Sequence, residues 1–244
     1  MAPRSAAELM ELWDALAGLG TVAREAALAE RCLAASVEGE GTTESLGLRE
    51  AALLRSFAGA FGARLRCLDD CPACGSRVAA ELSIPELIAV QEAAPACSGR
   101  MDLDGWRIIY RLPTGEDLKE AAEARDEETA EHILRSATIR EISHADGAVS
   151  AHDLPEGIAE ALAERIERED PLAAAEVALS CPDCGEAWRC GLDTAALFVA
   201  RLDAWAKRTL WEVHHLAMRY GWREADILAM APQRREAYLL MDAP

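Results

Sequence analysis

The sequence predicts an α+β fold: a mostly helical chain built around a small β-ribbon of two Cys-Pro-x-Cys-Gly hairpins, with a helical insertion between them. Three observations support this prediction. Leucines recur at helical spacing near both ends of the chain. The pattern Cys-Pro-x-Cys-Gly occurs at residues 71–75 and again at 181–185, each time between short alternating segments typical of strands. Residues 76–180 separate the two copies of this internal repeat.

The composition excludes several classes of protein. The chain has 244 residues, 51% of them hydrophobic, so it can bury a substantial core and intrinsic disorder is not expected. No apolar run approaches the roughly 18 residues that a membrane span needs, so we predict no span. Glu8 and Glu11 stand where an export signal would be basic and then apolar. We therefore expect a reducing, cytoplasmic location.

Negative charge dominates the chain. It has 43 Asp and Glu against 25 Lys and Arg, a formal net charge of −18, and residues 116–170 alone hold 17 acidic and 6 basic side chains. Such a surface repels phosphate backbones, so we predict no nucleic-acid binding. A solvated acidic face explains this charge, and a docking surface for a basic partner protein is the alternative.

The first sixty residues are predicted to form three helices. A leucine stripe from Leu9 to Leu19 indicates the first helix, which the glycines at 18 and 20 end. The second helix is predicted over residues 21–37 and the third over 48–61, with a turn-like break at 38–43 between them.

The two Cys-Pro-x-Cys-Gly segments, named here the first knuckle (71–75) and the second knuckle (181–185), are each predicted to join two strands. The predicted strands are residues 64–68 and 77–84 around the first knuckle, and residues 175–180 and 187–192 around the second.

The segment between the knuckles contains a second hairpin signal. Asp104-Gly105 between apolar runs predicts a hairpin with a primed turn. Thr114 followed by Asp117 predicts a helix start in capping-box style. Acidic helices are then predicted to about residue 168, interrupted by a loop over 144–155. After the second knuckle, the sequence predicts one long helix over 195–220, stopped by a glycine, and two short helices over 224–230 and 233–241.

These elements predict four regions. They are an N-terminal helical region (1–62), the ribbon (63–84 plus 175–193), an inserted hairpin with acidic helices (85–174), and a C-terminal helical region (194–244).

The knuckle cysteines are the predicted ligands of one structural Zn²⁺ per chain: Cys71, Cys74, Cys181 and Cys184. Two thiolates three residues apart can bind one ion only if the backbone turns tightly between them. Proline sets φ at the first turning position, and glycine accepts the left-handed conformation after the second cysteine. Two knuckles supply four soft ligands in the tetrahedral arrangement that Zn²⁺ prefers. Because no position is left for water, the predicted site is structural and the ribbon is a zinc ribbon.

Redox thiols and disulfides are the alternatives to a shared metal. A thioredoxin-like redox pair has one such motif at the start of a helix, whereas this chain has two, each between strand-like segments. Disulfides are not expected in a chain without an export signal. The long separation between the knuckles is compatible with one site, since the entropy of loop closure grows only logarithmically with loop length.

The remaining cysteines are interpreted as packing residues. Cys67 and Cys190 flank the knuckles and are either spare ligands or, as we favour, small buried strand residues. Cys32 and Cys97 are interpreted as core or semi-buried thiols.

A histidine-containing loop is the nearest approach to a catalytic site. It holds two histidines and two aspartates: His144, Asp146, His152 and Asp153. No nucleophile–base–orienter set surrounds them, so a solvated loop is the favoured interpretation. There is also no phosphate-binding glycine loop and no nucleophile elbow. We therefore expect no enzymatic activity.

Aromatic residues lie along the last long helix and in the turn after it. They are Trp205, Trp211, Tyr220 and Trp222. Packing against the ribbon accounts for most of this stripe. An exposed part of it would be an anchor for a protein interface, because Trp and Tyr dominate binding hot spots.

Several further segments accompany the knuckles in a fixed order. They are Leu65-Arg66, Arg111-Leu112-Pro113-Thr114-Gly115-Glu116-Asp117-Leu118, Trp188, His215-Leu216-Ala217, Tyr220-Gly221-Trp222, Ile227-Leu228, Arg234-Arg235 and Tyr238-Leu239. In this order they resemble the baseplate proteins of T-even phage and of related contractile phage-tail-like injection systems, from about residue 6 to 241. The T-even relatives need not share the cysteines, so the zinc prediction comes from the spacing alone.

The resemblance implies a non-enzymatic baseplate or hub component of a contractile tail-like particle, with other tail or baseplate proteins as partners. Its location would be the cytoplasm or the assembled particle. The alternative is a soluble assembly chaperone that is absent from the finished particle, because strong acidity also permits reversible contact with basic partners. A zinc-dependent hydrolase or redox enzyme would need an open metal position or a thiol of depressed pKa.

Overall fold

The structure is a computed structural model that describes residues 5–35, 44–94, 98–145, 147, 149–150 and 154–241. It is a mixed helix-and-sheet protein with small antiparallel sheets, as the sequence predicted, and 57% of the described residues are helical. The break at 38–43, Cys97, Asp146, His152 and Asp153 lie outside the described residues. The division into four regions stays a prediction.

Ten helices lie in the part of the chain that the structure describes. They are α1 (Ala6–Leu16), α2 (Thr21–Ala34), α3 (Leu46–Phe61), α4 (Ile84–Glu92), α5 (Gly115–Ala122), α6 (Glu127–Thr138), α7 (Glu156–Glu169), α8 (Thr194–Tyr220), α9 (Glu224–Leu228) and α10 (Pro232–Leu240). None of the described helices is long and apolar enough to cross a membrane.

In the described residues, the strands form three antiparallel sheets. They are β1 (Arg64–Asp70), β2 (Arg77–Ser83), β3 (Ser98–Leu103), β4 (Trp106–Arg111), β5 (Ile139–His144), β6 (Glu176–Ser180) and β7 (Ala187–Gly191). Strands β1 and β2 form one hairpin and β6 and β7 another, whereas β3, β4 and β5 form a three-stranded sheet in that order.

Two local predictions about the insertion are confirmed. Asp104 and Gly105 both have positive φ, at 47° and 82°, as a primed hairpin turn requires. Thr114 is the N-cap of α5, and the Asp117 carboxylate accepts a hydrogen bond of 2.7 Å from the Thr114 backbone N–H.

The prediction of acidic helices up to the loop at 144–155 is wrong at residues 139–144, which form β5 instead. The strand is stabilised by pairing with β4, where Ile142 lies opposite Ile108. A second difference is α4: the strand predicted over 77–84 ends at Ser83, and a helix that the sequence did not predict begins at Ile84. Strand β5 depends on a contact outside the local sequence. Helix α4 instead has a local signal that the prediction missed, a proline in its first turn.

The principal core lies among α1, α2, α3 and α8. Its fully buried side chains include Leu16, Leu28, Leu53 and Leu202. The core extends to the ribbon through Leu65 of β1, which is also fully buried. The ribbon is therefore anchored to the helical part of the chain.

A separate core holds the insertion together. Strand β4 contributes Ile108 and Tyr110, which pack with Ile158 and Leu162 of α7. The Tyr110 hydroxyl donates a hydrogen bond of 2.7 Å to the buried Glu169 carboxylate at the end of α7. This bond fixes the sheet against the helix that leads to the second knuckle.

A buried carboxylate connects the segment after α7 to α3 and α4. Asp170, 1% exposed, accepts hydrogen bonds from the Ser45 hydroxyl (2.8 Å), the Gly47 N–H (3.0 Å) and the Gln91 side-chain amide (2.7 Å). The Gln91 carbonyl accepts in turn from the Leu172 N–H at 3.0 Å. A Cβ on residue 47 would overlap the Asp170 carboxylate, so glycine is required there. The network holds the end of α4 and the segment before β6 against the start of α3.

Glu50 makes the stability of the helical core dependent on pH. Burial on α3 raises the pKa of Glu50 from 4.5 to about 7; the Arg49 guanidinium opposes the rise and Asp193 adds to it. Because the folded chain holds this proton more tightly than the unfolded chain, the stabilisation is fully present below pH 4.5 and is lost as the pH rises through about 7.

We therefore expect Glu50→Gln to increase the free energy of unfolding by on the order of 2 kcal/mol at about pH 8.5, and to have little effect near pH 5. Urea unfolding at both pH values measures the difference. The exposed Glu11→Gln variant removes the same charge from α1 and serves as the control. Parallel pH profiles of Glu50→Gln and the parent chain would contradict the prediction.

Candidate metal centre

The first knuckle is a tight turn between β1 and β2. The last pair of the hairpin is Asp70 opposite Arg77. Beyond it, the Cys71 N–H donates to the Ser76 carbonyl at 2.9 Å, and the Gly75 N–H donates to the Cys71 carbonyl at 2.8 Å. Gly75 has a φ of 75°, which explains the glycine of the motif.

The second knuckle repeats this geometry between β6 and β7. The Cys181 N–H donates to the Glu186 carbonyl at 2.8 Å, and the Gly185 N–H donates to the Cys181 carbonyl at 3.0 Å. Gly185 has a φ of 79°. The internal repeat in the sequence is thus a repeat of strand, turn and strand in the structure.

The four knuckle cysteines meet although the two knuckles are far apart in sequence. Their Sγ atoms all lie within 4.8 Å of one another. The Sγ atoms of Cys71 and Cys184 are 3.6 Å apart, as are those of Cys74 and Cys181. Cys71 and Cys181 are buried, at 2% exposure each, whereas Cys74 and Cys184 are exposed. The cluster is therefore half embedded in the ribbon and half open to solvent.

The donor set of this cluster fits a soft metal ion. All four ligand atoms are cysteine sulfurs, and no other group in the described part of the chain brings three or more potential ligands together. Four sulfurs in a tetrahedral arrangement are typical of Zn²⁺ or iron. The cluster is close enough to hold one ion and is compatible with zinc.

The pKa values of the two exposed thiols move in opposite directions. The Ser76 hydroxyl, 3.3 Å from the Cys74 Sγ, and the Ser76 backbone N–H lower the pKa of Cys74 to about 6. The Glu186 N–H lowers the pKa of Cys184, but the surrounding sulfurs, Cys74 first, outweigh it and raise the pKa to about 12. Four sulfurs this close cannot all be ionised without a cation, and a bound metal would displace the remaining protons.

Apolar packing holds the two hairpins together around the sulfurs. The small core beneath Cys71 and Cys181 contains Val78, Val177 and Leu179. On its outer side, the Trp188 indole N–H donates a hydrogen bond of 2.9 Å to the carboxylate of Asp69 on β1. No local pattern in the sequence predicts the Asp69–Trp188 contact, because its partners are 119 residues apart.

Three other cysteines, Cys32, Cys67 and Cys190, lie where packing residues are expected. Cys67 is buried on β1 and Cys190 is half-buried on β7. Burial, and then the neighbouring Cys190, raise the pKa of Cys67, which favours a neutral thiol. Neither belongs to the four-sulfur cluster. Cys32 is 1% exposed in the helical core.

The structure separates the four aromatic residues predicted as a protein interface. Trp205 is half-buried against the helical core. Tyr220 and Trp222 stack on each other, with ring centroids 4.5 Å apart, and both contact Tyr238 of α10. Trp211 is 54% exposed. Three of the four therefore contribute to internal packing, and the interface stays a prediction that rests on Trp211.

In the described part of the histidine loop, His144 packs against a tryptophan of the neighbouring strand. The ring of His144, the last residue of β5, lies 4.8 Å from the ring of Trp106 on β4. With Asp146, His152 and Asp153 outside the described residues, the solvated-loop interpretation stays a prediction.

The fold and the cysteines define a mixed helix-and-sheet protein with a cluster able to hold a metal ion. A family model described as T4 bacteriophage base plate protein matches residues 25–193, and the chain belongs to this family. The match includes both knuckles and ends at the N-cap of α8. The segments after residue 193 lie outside it, and their likeness stays a prediction. No curated protein and no solved structure matches the chain significantly.

Family membership supports a component of the phage baseplate and implies assembly with other phage proteins. It also indicates a place in the phage particle.

Proposed function

We propose that the chain is a non-enzymatic structural component of the baseplate or hub of a contractile phage-tail-like particle, stabilised by one Zn²⁺ in a zinc ribbon. The observation that carries the proposal is the group of four Sγ atoms within 4.8 Å of one another in a member of a baseplate family. Four protein ligands leave no metal position for substrate or water, which supports a structural role.

The exposed face of α8 is the proposed contact with neighbouring subunits. Leu210, Trp211 and Met218 are 37%, 54% and 76% exposed on it. The two acidic residues of α8 do not face solvent freely: Asp203 is paired with Arg24 of α2, and Glu212 is buried. The result is an exposed face that combines apolar and aromatic side chains with exposed basic ones such as Lys207 and lacks freely exposed acidic side chains, in a chain of net charge −18. Exposed Trp is the type of residue that anchors protein interfaces.

An assembly chaperone is the second candidate function. The observation that favours it is the excess of acidic residues in 116–170, because long-range charge promotes fast and reversible association with basic partners. In this case the chain would hold a tail component before assembly and leave the finished particle.

Fractionation of lysate from cells that produce the particle separates the two candidates. A structural component sediments with assembled particles and remains after washing in high salt, whereas a chaperone stays in the soluble fraction. Sedimentation with the particle is the expected result. Recovery of the chain from the soluble fraction alone would overturn the structural proposal and support the chaperone.

The α8 surface is tested in the same assay. We expect Trp211→Ala combined with Met218→Ala to reduce the amount of chain in the particle by at least about tenfold, since a central hot-spot residue contributes about 2 kcal/mol or more. Val22→Ala, which changes an apolar residue of α2 that is 79% exposed, is the matched control. Equal incorporation of both variants would show that α8 is not the contact.

A further inference from the structure

Two contacts between knuckle sulfurs, both at 3.6 Å, cross from one hairpin to the other. Cys71 faces Cys184, and Cys74 faces Cys181, with both Sγ–Sγ distances at 3.6 Å. Each facing pair combines one buried sulfur with one exposed sulfur. A disulfide within a knuckle would instead join Cys71 to Cys74 or Cys181 to Cys184.

Packing that is independent of the sulfurs maintains this facing arrangement. Val78, Val177 and Leu179 pack between the hairpins, and the Trp188 indole is hydrogen-bonded to Asp69 across them. Inside each knuckle, the Gly75 and Gly185 N–H groups donate to the carbonyls of the first cysteines. The turns are therefore closed by backbone hydrogen bonds that need no ion.

We propose that this centre is also a site of oxidative modification, at which a disulfide oxidant such as oxidised glutathione converts the four thiols into the disulfides Cys71–Cys184 and Cys74–Cys181. The two hairpins then remain joined after the metal is lost. The inference rests on the proposed metal site only because the metal-loaded protein is the state from which oxidation begins.

The chemistry follows from the exposure of the sulfurs. The exposed Cys74 thiolate attacks one sulfur of oxidised glutathione and displaces one glutathione thiolate. The facing Cys181 thiolate then attacks the Cys74 sulfur of the mixed disulfide and displaces the second glutathione thiolate. The two cysteines lose two protons and two electrons in total, and one oxidised glutathione becomes two reduced molecules. Cys184 and Cys71 react in the same two steps.

The test follows disulfide pairing while zinc is removed from the full-length chain. The metal-loaded protein is incubated with a chelator and oxidised glutathione, its free thiols are blocked, and it is cleaved with trypsin. The sequence places Cys71 and Cys74 in the peptide 67–77, and Cys181 and Cys184 in the peptide 169–189. Disulfides across the hairpins link these two peptides, whereas disulfides within knuckles leave them separate. Mass spectrometry is expected to find the linked species predominating.

Variants with two cysteines removed identify the pairs. Cys71→Ser with Cys184→Ser retains the facing pair Cys74 and Cys181, and we expect the linked peptides at a yield several times that of Cys71→Ser with Cys181→Ser. The second variant retains the two exposed sulfurs, which are not a facing pair. Separate peptides in the parent chain, or equal yields in the two variants, would overturn the proposal. The zinc content measured before oxidation reports separately on the proposed metal site.

Discussion

Serine at any one of the four knuckle cysteines is expected to abolish stable zinc binding and most of the soluble, folded yield of the chain. The parent chain is expected to bind about one Zn²⁺. Metal binding at structural sites contributes on the order of 10 kcal/mol, and a domain of this size is stable by only about 5–15 kcal/mol. Loss of one ligand therefore removes a large part of the total stability. Elemental analysis of the purified chain and thermal unfolding measure the two effects.

The matched control for these variants is Cys190→Ala. Cys190 lies on the same hairpin as Cys181 and Cys184 but outside the four-sulfur cluster. Cys32→Ala, in the helical core, is a second control. If the ligand variants express, bind zinc and melt like the two controls, the zinc ribbon is refuted.

Alanine at Asp170 is expected to lower the free energy of unfolding by about 3–5 kcal/mol. The substitution leaves three buried donors, from Ser45, Gly47 and Gln91, without their acceptor. It also removes the hydrogen bonds that hold the segment before β6 against α3 and α4. Asp170→Asn should cost less, because one carbonyl oxygen remains to accept. Urea denaturation of each variant measures the loss.

Asp126→Ala provides the comparison for this effect. Asp126 also accepts a backbone hydrogen bond, from the Thr129 N–H at 2.8 Å, but at the exposed start of α6. Loss of such a cap costs about 1 kcal/mol. Equal losses for Asp126→Ala and Asp170→Ala would show that the buried network contributes little beyond one ordinary hydrogen bond.

The parts of the structure that follow from local chemistry could be predicted from the sequence. Each knuckle contains the residues that determine its local conformation. These are a proline at the turn, a glycine at the position of positive φ, and alternating apolar and polar residues on both sides. The Asp104-Gly105 turn is specified in the same way. Ligand chemistry predicts the pairing of the two knuckles, since a tetrahedral ion takes four thiolates and one knuckle supplies only two.

The parts that could not be predicted depend on partners far away in the chain. Asp170 stands in an acidic run of the sequence that does not mark it out, and its partners lie 79 to 125 residues away. Strand β5 has an irregular apolar pattern and is defined by its pairing with β4. No local spacing identifies either feature.

The aromatic stripe shows a related limit of helical periodicity. The spacing indicates which residues share a face, but not which later segment covers that face. Here the chain after α8 folds back, so that Tyr238 covers Tyr220 and Trp222, and the buried Arg235 donates a hydrogen bond of 3.0 Å to Glu212. Trp211, two turns earlier, is left exposed.

The facing sulfurs are 107 and 113 residues apart in the chain, which has a consequence for biosynthesis. At ordinary translation rates, the ribosome needs roughly 5–20 s to make the second half of the site after the first half has emerged. During this time Cys71 and Cys74 can be captured by other thiols or metals, and the nascent ribbon cannot close. Production of the chain should therefore depend on zinc supply and on chaperones that act on incomplete chains, and slower translation should reduce the folded yield rather than increase it.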